Sequence, residues 1–401
     1  MKKYNTWAEL NVFLMFAGFP LLVTFFQNSA VSIAYRGFAL IVALICCVTH
    51  ANDNQRRPHS RLMLVFMGLY IILDICCLWD LFIGYYADTP YIASRNMAAL
   101  FIVGVSFFPV LGVYYSYQRI RWERIFLLLF YAYLFIIALA LSRGFVDEIS
   151  GRGGISSHMG TLGLGETGVY QVIVSAVLLR TAKDYGRKKV MRILFVVGVV
   201  LGVLAIFRAA SRGPFVGVIA ALSYFFMSGG RWNKFLTIVV IVLMIIFSAF
   251  TETIFSNVAP VLYERIMYAV EDEDTGGRDV LYESAINTIK EHPLKGGVSI
   301  ALEPNGISNC HNMYLDTTLE LGLVGGFVFV TICIILLVWC LRVPQGFKNQ
   351  PTTLFFASWF IFCLVRGMSG LGLSMGGNVV LAFVGLINCK EKYDYSKLDK
   401  K

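Results

Sequence analysis

Apolar and polar positions fall in blocks along the 401-residue chain. Apolar runs of about 17–22 residues recur from end to end, each long enough to cross hydrocarbon as a helix. The predicted spans are 7–27, 30–49, 62–84, 96–118, 125–142, 167–182, 190–208, 213–228, 235–254, 320–341, 352–368 and 374–389. The pattern predicts an all-α, polytopic transmembrane helix bundle of about twelve spans. Residues 1–254 form an N-terminal bundle of about nine spans, residues 255–319 an extramembrane loop, and residues 320–401 the last helices and a tail. Met1-Lys2-Lys3 before an apolar run has the look of a signal peptide. No small-residue cleavage site follows, so the first run reads as a retained helix.

The polar segments between spans are sorted by charge. With the N-terminus inside, the inner segments hold Arg56, Arg57 and Arg61; Arg119, Arg121 and Arg124; Lys183, Arg187, Lys188 and Lys189; Arg231 and Lys234; Arg342 and Lys348; and a lysine-rich tail. Every one is basic, as the positive-inside rule requires. Both termini are therefore expected in the cytoplasm, and segment 255–319 on the opposite, outer face. There the lysines are Lys290 and Lys295, but the arginines are many: Arg36, Arg95, Arg143, Arg152, Arg208, Arg212, Arg265, Arg278 and Arg366. For any one of them, snorkelling at the interface is the simpler reading. As a set they point to an anionic ligand, because arginine grips phosphate with a planar two-pronged fork.

Two outer segments exceed tight-turn length. Segment 143–166 is glycine-rich, carries His158 and Glu166, and reads as a lid-like loop. Segment 255–319 contains the acidic run Glu271–Asp274, a break at Thr275-Gly276-Gly277, and then an amphipathic helix over 278–291. That helix places Leu281, Ala285, Ile286 and Ile289 on one side and ends before Pro293, so it either lies on the membrane surface or caps the bundle. The polar stretch closes at His311-Asn312, where the chain turns into the apolar run from Gly322 to about Leu341. Asn312, Asp316 and Glu320 recur at every fourth residue and share one helix face.

Composition narrows the class. The chain is 57% hydrophobic and 15% charged, which excludes an ordinary soluble domain. A net charge of +9 would suggest nucleic acid in a soluble protein. Here the basic residues are sorted into alternate segments, so no nucleic-acid partner is implied. Of nine cysteines, eight lie in or at the ends of apolar runs and Cys310 stands in a polar loop. There is no CxxC pair and no Cys/His cluster, so neither a zinc site nor a disulfide framework is signalled, and no cofactor is expected.

Candidate chemistry gathers at three outer-face stretches. In Arg208-Ala-Ala-Ser211-Arg212-Gly213-Pro214 two spans meet with almost no loop, Ser211 is placed to cap the second helix, and Pro214 suits its first turn. A helix N-terminus beside Arg212 makes an anion site. Gly276-Gly277-Arg278 again sets glycine just before a helix start, and His311-Asn312 is the third. None is specific alone. In this order and on this topology they resemble the O-antigen polymerase (Wzy-type) and O-antigen ligase superfamily of bacterial envelope glycosyltransferases. The resemblance also rests on Glu291-His292-Pro293-Leu294-Lys295-Gly296 and on His311-Asn312-Met-Tyr-Leu running to Glu320-Leu-Gly-Leu-Val-Gly. It covers roughly residues 205–330; the first 200 residues share only topology and size.

The resemblance implies a GT-C-like fold in the bacterial inner membrane, with the active site facing the periplasm. It implies a glycan donor on undecaprenyl pyrophosphate, a lipid-linked or lipid A-core acceptor, and inverting transfer without a metal or nucleotide sugar. Leaving-group charge would be stabilised by preorganised arginines, and the acceptor hydroxyl would lose its proton to a histidine of ordinary pKa, about 6.5. The implied roles are pyrophosphate binding by Arg212 and Arg278, with Arg208 and Arg366 as secondary candidates, and general base for His311. A chain-length regulator is entertained as a protein partner. Plain structural readings compete: His311 as a helix cap, His158 and His292 as bystanders, Gly322 and Gly326 as packing contacts spaced GxxxG, and Asp74 and Asp80 as bundle-internal hydrogen-bonding groups. A transporter or flippase is the alternative class, but transporters place ionisable groups near the midplane within repeated halves, whereas here charge gathers at the outer ends.

Overall fold

The structure is a computed structural model and describes residues 5–26, 29–51, 60–83, 96, 98–100, 102–143, 154–155, 161–181, 188–228, 261, 278–294, 301–303, 306–308, 310–368 and 377–398. Its helices are α1 Thr6–Phe25, α2 Ser29–Ala51, α3 Arg61–Phe82, α4 Ala98–Arg119, α5 Trp122–Arg143, α6 Thr161–Thr181, α7 Lys188–Ala209 and α8 Arg212–Met227. They continue as α9 Arg278–Glu291, α10 Met313–Arg342, α11 Gln345–Lys348, α12 Pro351–Gly367 and α13 Gly377–Leu398. A two-stranded antiparallel ribbon, β1 Ala301–Glu303 and β2 Gly306–Ser308, pairs Leu302 with Ile307 between α9 and α10. Eight of the helices are long and apolar enough to cross a membrane, and α8 and α12 are shorter apolar helices. The chain is an all-α, multi-pass membrane protein. Every predicted span except 235–254 has its helix; that one lies outside the described residues.

Two boundaries differ from expectation. The helix predicted over 320–341 begins at Met313, because Asn312 caps it: Asn312 Oδ1 accepts the Tyr314 and Leu315 N–H groups at 3.0 and 3.2 Å. The helix predicted over 167–182 begins at Thr161, which puts Glu166 on a helix rather than in the glycine-rich loop. Its small residues let α6 cross α7 closely. A Cβ on Gly168 would lie 2.6 Å from the Gly202 carbonyl oxygen, and one on Gly202 would lie 2.8 Å from that of Gly168. Only glycine at both positions permits that approach.

Aromatic rings tie the mostly aliphatic core together. Trp359 of α12 packs on Phe16 of α1 at 4.1 Å between centroids and on Tyr170 of α6 at 4.7 Å, and Phe355 packs on Phe126 of α5 at 4.7 Å. These rings pin the short helix α12 in the middle of the bundle, where it also faces α8 through Phe362 on Gly217. Polar ties define one end. Buried Glu9 accepts from Arg121 at 2.6 and 3.0 Å and from Arg124 at 3.1 Å, the Ser60 N–H donates to Glu391 at 2.7 Å, and Arg180 donates to Ser228 and Asn349 at 3.0 and 2.8 Å. At the other end Arg143 donates to the Thr24 carbonyl.

Candidate functional site

The second end gathers the start of α6, the α7–α8 corner, the end of α12 and the start of α10. The corner is tight: Ala210 adopts φ 46° and its N–H donates to Phe207 O at 3.0 Å. Ser211 sits at the N-cap of α8 in extended conformation, but its side chain makes no capping hydrogen bond, contrary to the expected role. Arg212 opens α8. Arg208 closes α7, with its Nε buried and without a hydrogen-bond partner among the described residues. Gly165 of α6 packs on Pro214 and Ala209 of this corner, which sets Glu166 beside it.

Arg366, in the last turn of α12, is buried and pairs with Glu166 at 3.3 Å. A buried arginine requires such a counter-charge. From the sequence Glu166 reads as a loop acid and, with Asp316, as the fallback base should His311 be structural; its partnership with Arg366 could be read only once both helices were in place.

Arg278 opens α9, and two hydrogen bonds and an apolar face fix that helix. Tyr282 donates from its hydroxyl to the Met368 carbonyl at 2.9 Å, next to the end of α12. The Leu323 N–H donates to the Pro293 carbonyl at 2.8 Å. That second bond exists because α10 is broken at Gly322, whose φ of 68° and ψ of −179° are not helical. Gly322 is thus a break in the helix as well as the packing contact expected of it: a Cβ there would meet Leu294 O at 2.8 Å. The apolar face of α9 seats Ala285 with Leu281, Tyr282 and Ile289 against Cys310, Leu315 and Leu319. The helix therefore caps the bundle.

Placed so, Arg278 shares the electrostatic field of Arg366 and Arg212. Burial first, and then these two like charges, draw its guanidinium below its usual range, with Tyr282 acting in the opposite sense. The structure brings Arg212 and Arg366 within electrostatic reach of Arg278, with Arg208 across the α7–α8 corner from Arg212. Three guanidinium groups converging in this way can bind an oligoanion through paired N–H donors. Of the other outer-face arginines, Arg143 is taken up by the Thr24 carbonyl, and Arg95, Arg152 and Arg265 lie outside the described residues, as do Gly276 and Gly277.

His311 lies at this end, exposed, in the turn that leads into α10. Its φ is 55°, an uncommon conformation for a residue with a side chain. The capping group is Asn312, so the helix cap does not fall to His311. On the other side, Asp316 Oδ1 accepts the Cys310 N–H at 3.1 Å and its thiol at 2.8 Å. Burial and the neighbouring carboxylate raise the Cys310 thiol well above its ordinary range and keep it a donor. The sequence showed Cys310 only as a lone polar-loop cysteine; the acid six residues on was the available signal. His292 is exposed just past α9, and His158 lies outside the described residues. Glu320 accepts the Cys77 thiol of α3 at 3.4 Å, and Asp74 is buried beside Tyr70, whose hydroxyl pairs with Ser106 at 2.7 Å. Among the described residues no group of His, Cys, Asp and Glu side chains has the grouping to hold a metal ion.

The fold defines a class, a polytopic, all-α membrane protein, and this end gathers arginines where its helices meet. Residues 197–330, a third of the chain, match the family described as O-antigen ligase, which supports the O-antigen polymerase and ligase superfamily. The matched segment runs from within α7 past the middle of α10 and includes Arg208, Arg212, Arg278 and His311; Glu166 and Arg366 lie outside it. No curated protein matches the chain.

Proposed function

We propose that this protein is an O-antigen, or surface-polysaccharide, polymerase of GT-C type. It joins repeat units carried on undecaprenyl pyrophosphate at the periplasmic face of the bacterial inner membrane, with both termini in the cytoplasm. The single observation that carries the reading is the convergence of Arg212, Arg278 and Arg366 at the end where the His311 turn enters α10. The acceptor hydroxyl oxygen attacks the anomeric carbon from the face opposite the phosphate. The new carbon–oxygen bond forms as the anomeric carbon–phosphate oxygen bond breaks. The hydroxyl proton passes to His311, and the electron pair leaves with undecaprenyl pyrophosphate, whose charge the arginines hold. Configuration inverts. The step draws on no metal, which accords with the charge stabilisation that the arginines supply.

A second reading is the O-antigen ligase, which transfers finished polymer from the same donor to lipid A-core. It takes its support from the description of the matching family. The glycan of a deletion strain separates the two: a single repeat on lipid A-core marks a lost polymerase, and polymer stranded on the carrier marks a lost ligase.

The chemical test is an in vitro reaction of purified protein with a defined undecaprenyl-pyrophosphate oligosaccharide, scored for product ladders and for donor binding. His311→Ala and His311→Gln are expected to lose about 10²–10⁴ in rate while binding donor, as removal of a general base does. His158→Ala and His292→Ala are expected to be nearly neutral. Ladders at the normal rate from His311→Gln would make His311 structural. Loss of donor binding in His311→Ala would move it into the phosphate site.

A further inference from the structure

Asp316 sits in the first turn of α10, 4% exposed, and among the described residues it neither pairs with an arginine nor caps the helix. Its Oδ1 takes both donors of one residue, the backbone N–H and the thiol of Cys310. Asn312, two residues on, is tied to the Tyr314 and Leu315 N–H groups. His311 is therefore the single residue between two anchored neighbours, and it is held at φ 55°. A residue with a Cβ keeps that conformation only when its surroundings impose it. Cys310 also has a second contact: it packs in the apolar cluster beneath α9, with Ala285, Leu281 and Ile289. One buried side chain thus touches both the turn that carries His311 and the helix that carries Arg278.

We propose that the Cys310–Asp316 pair is a positioning clasp that sets His311 against the acceptor and keeps that turn in register with the arginine-bearing helix α9. This rests on the reading of His311 as the base. Asp316 and Cys310 act through His311 and touch no substrate. Losing the clasp releases the turn, so the imidazole samples orientations from which it cannot reach the acceptor proton, while the phosphate-binding arginines stay where they are. A displacement of about 1 Å at a reacting group can cost on the order of 10²-fold in rate.

The test uses the full chain in detergent or nanodiscs with lipid-linked donor, and reads kcat, donor affinity and the pH–rate profile. Asp316→Ala removes both hydrogen bonds and is expected to lower kcat on the order of 10²-fold with donor affinity unchanged. Cys310→Ala removes only the thiol bond and is expected to lower kcat about tenfold. Cys310→Ser, which restores a donor, is expected to recover most of that loss. Because the imidazole itself is intact, the pH at half-maximal rate stays in place in all three. Normal turnover in Asp316→Ala, or equal losses in Cys310→Ser and Cys310→Ala, overturns the clasp. So does a parallel loss of donor affinity and kcat in Asp316→Ala, since the pair is then only structural; should that variant not fold, the two Cys310 variants decide. His311→Gln run alongside separates the causes. If it is inactive while Asp316→Ala is normal, the clasp alone fails. If it is fully active, the base assignment fails and takes the clasp with it.

Discussion

Arg278 bears the like charge of two neighbours in a half-buried setting, an arrangement that costs energy unless a counter-charge offsets it. Arg366 has Glu166 beside it to offset its charge. The shape of the guanidinium group matters as well as its charge, because paired N–H donors match phosphate oxygens where an ammonium cannot. Arg212→Lys and Arg278→Lys are therefore each expected to weaken donor binding by about tenfold to a hundredfold, the scale of a lost charged hydrogen bond. Unchanged binding in both would reduce the cluster to general surface attraction. Cys310 should resist maleimide in the native protein and label only on unfolding, since its thiol is buried and held protonated; rapid native labelling would contradict its contact with Asp316. At this scale the sequence is unevenly legible. The arginines and His311 stood out through residue type and position. The clasp did not, because it depends on a left-handed turn at His311 that no residue type announces. Glu166 was misplaced because its glycine-rich surroundings look like a loop, although those glycines serve close packing in α6.

The elements that make the site are short or broken, and each departure has a local cause. Helix α9 is held by the Tyr282 bond to Met368 O and by the Pro293 carbonyl, which fills the break in α10. Gly322 permits that break at φ 68°, where a side chain costs about 1–3 kcal/mol. A methyl at Gly322 would also press on Leu294 O at 2.8 Å. Gly322→Ala is accordingly expected to lower the detergent melting midpoint and to loosen α9, with donor binding falling alongside. Tyr282→Phe loses one hydrogen bond, about 0.5–1.5 kcal/mol, and should show a smaller form of the same effect. Equal melting midpoints for Gly322→Ala and the parent protein would mean that the helix tolerates a continuous path there. The amphipathic pattern of 278–291 announced α9 itself. Its docking partners could not be read, because the carbonyl groups that receive it belong to backbone and leave no mark on composition.

For the whole molecule, the bilayer made the helices legible and contributed nothing to their arrangement. Span length and charge alternation are imposed by hydrocarbon thickness and by the insertion machinery, so they are written in every segment. Which helices touch is decided by small contacts such as Gly168 on Gly202, and these have no period. The result is a bundle with two unlike ends. At one, cations are matched to protein acceptors, as Arg121 is to Glu9 and Arg180 is to Ser228 and Asn349. At the other, Arg278 lies within the electrostatic reach of Arg212 and Arg366, and Arg366 pairs with Glu166. An anion bound there relieves repulsion that the folded state otherwise carries, and a ligand that binds only the folded form stabilises it by mass action, about 2.7 kcal/mol at one hundred times Kd. Inorganic pyrophosphate, a soluble portion of the proposed leaving group, is therefore expected to raise the melting midpoint of the purified protein in a saturable way at low salt. The shift should shrink in Arg212→Lys and Arg278→Lys and persist in His311→Ala, because the histidine is assigned to the acceptor side. Sulfate at equal ionic strength serves as the control for screening. No saturable shift in the parent protein, or the same shift in all of these variants, would show that the arginines do not act as one anion site and would return each of them to an interfacial role.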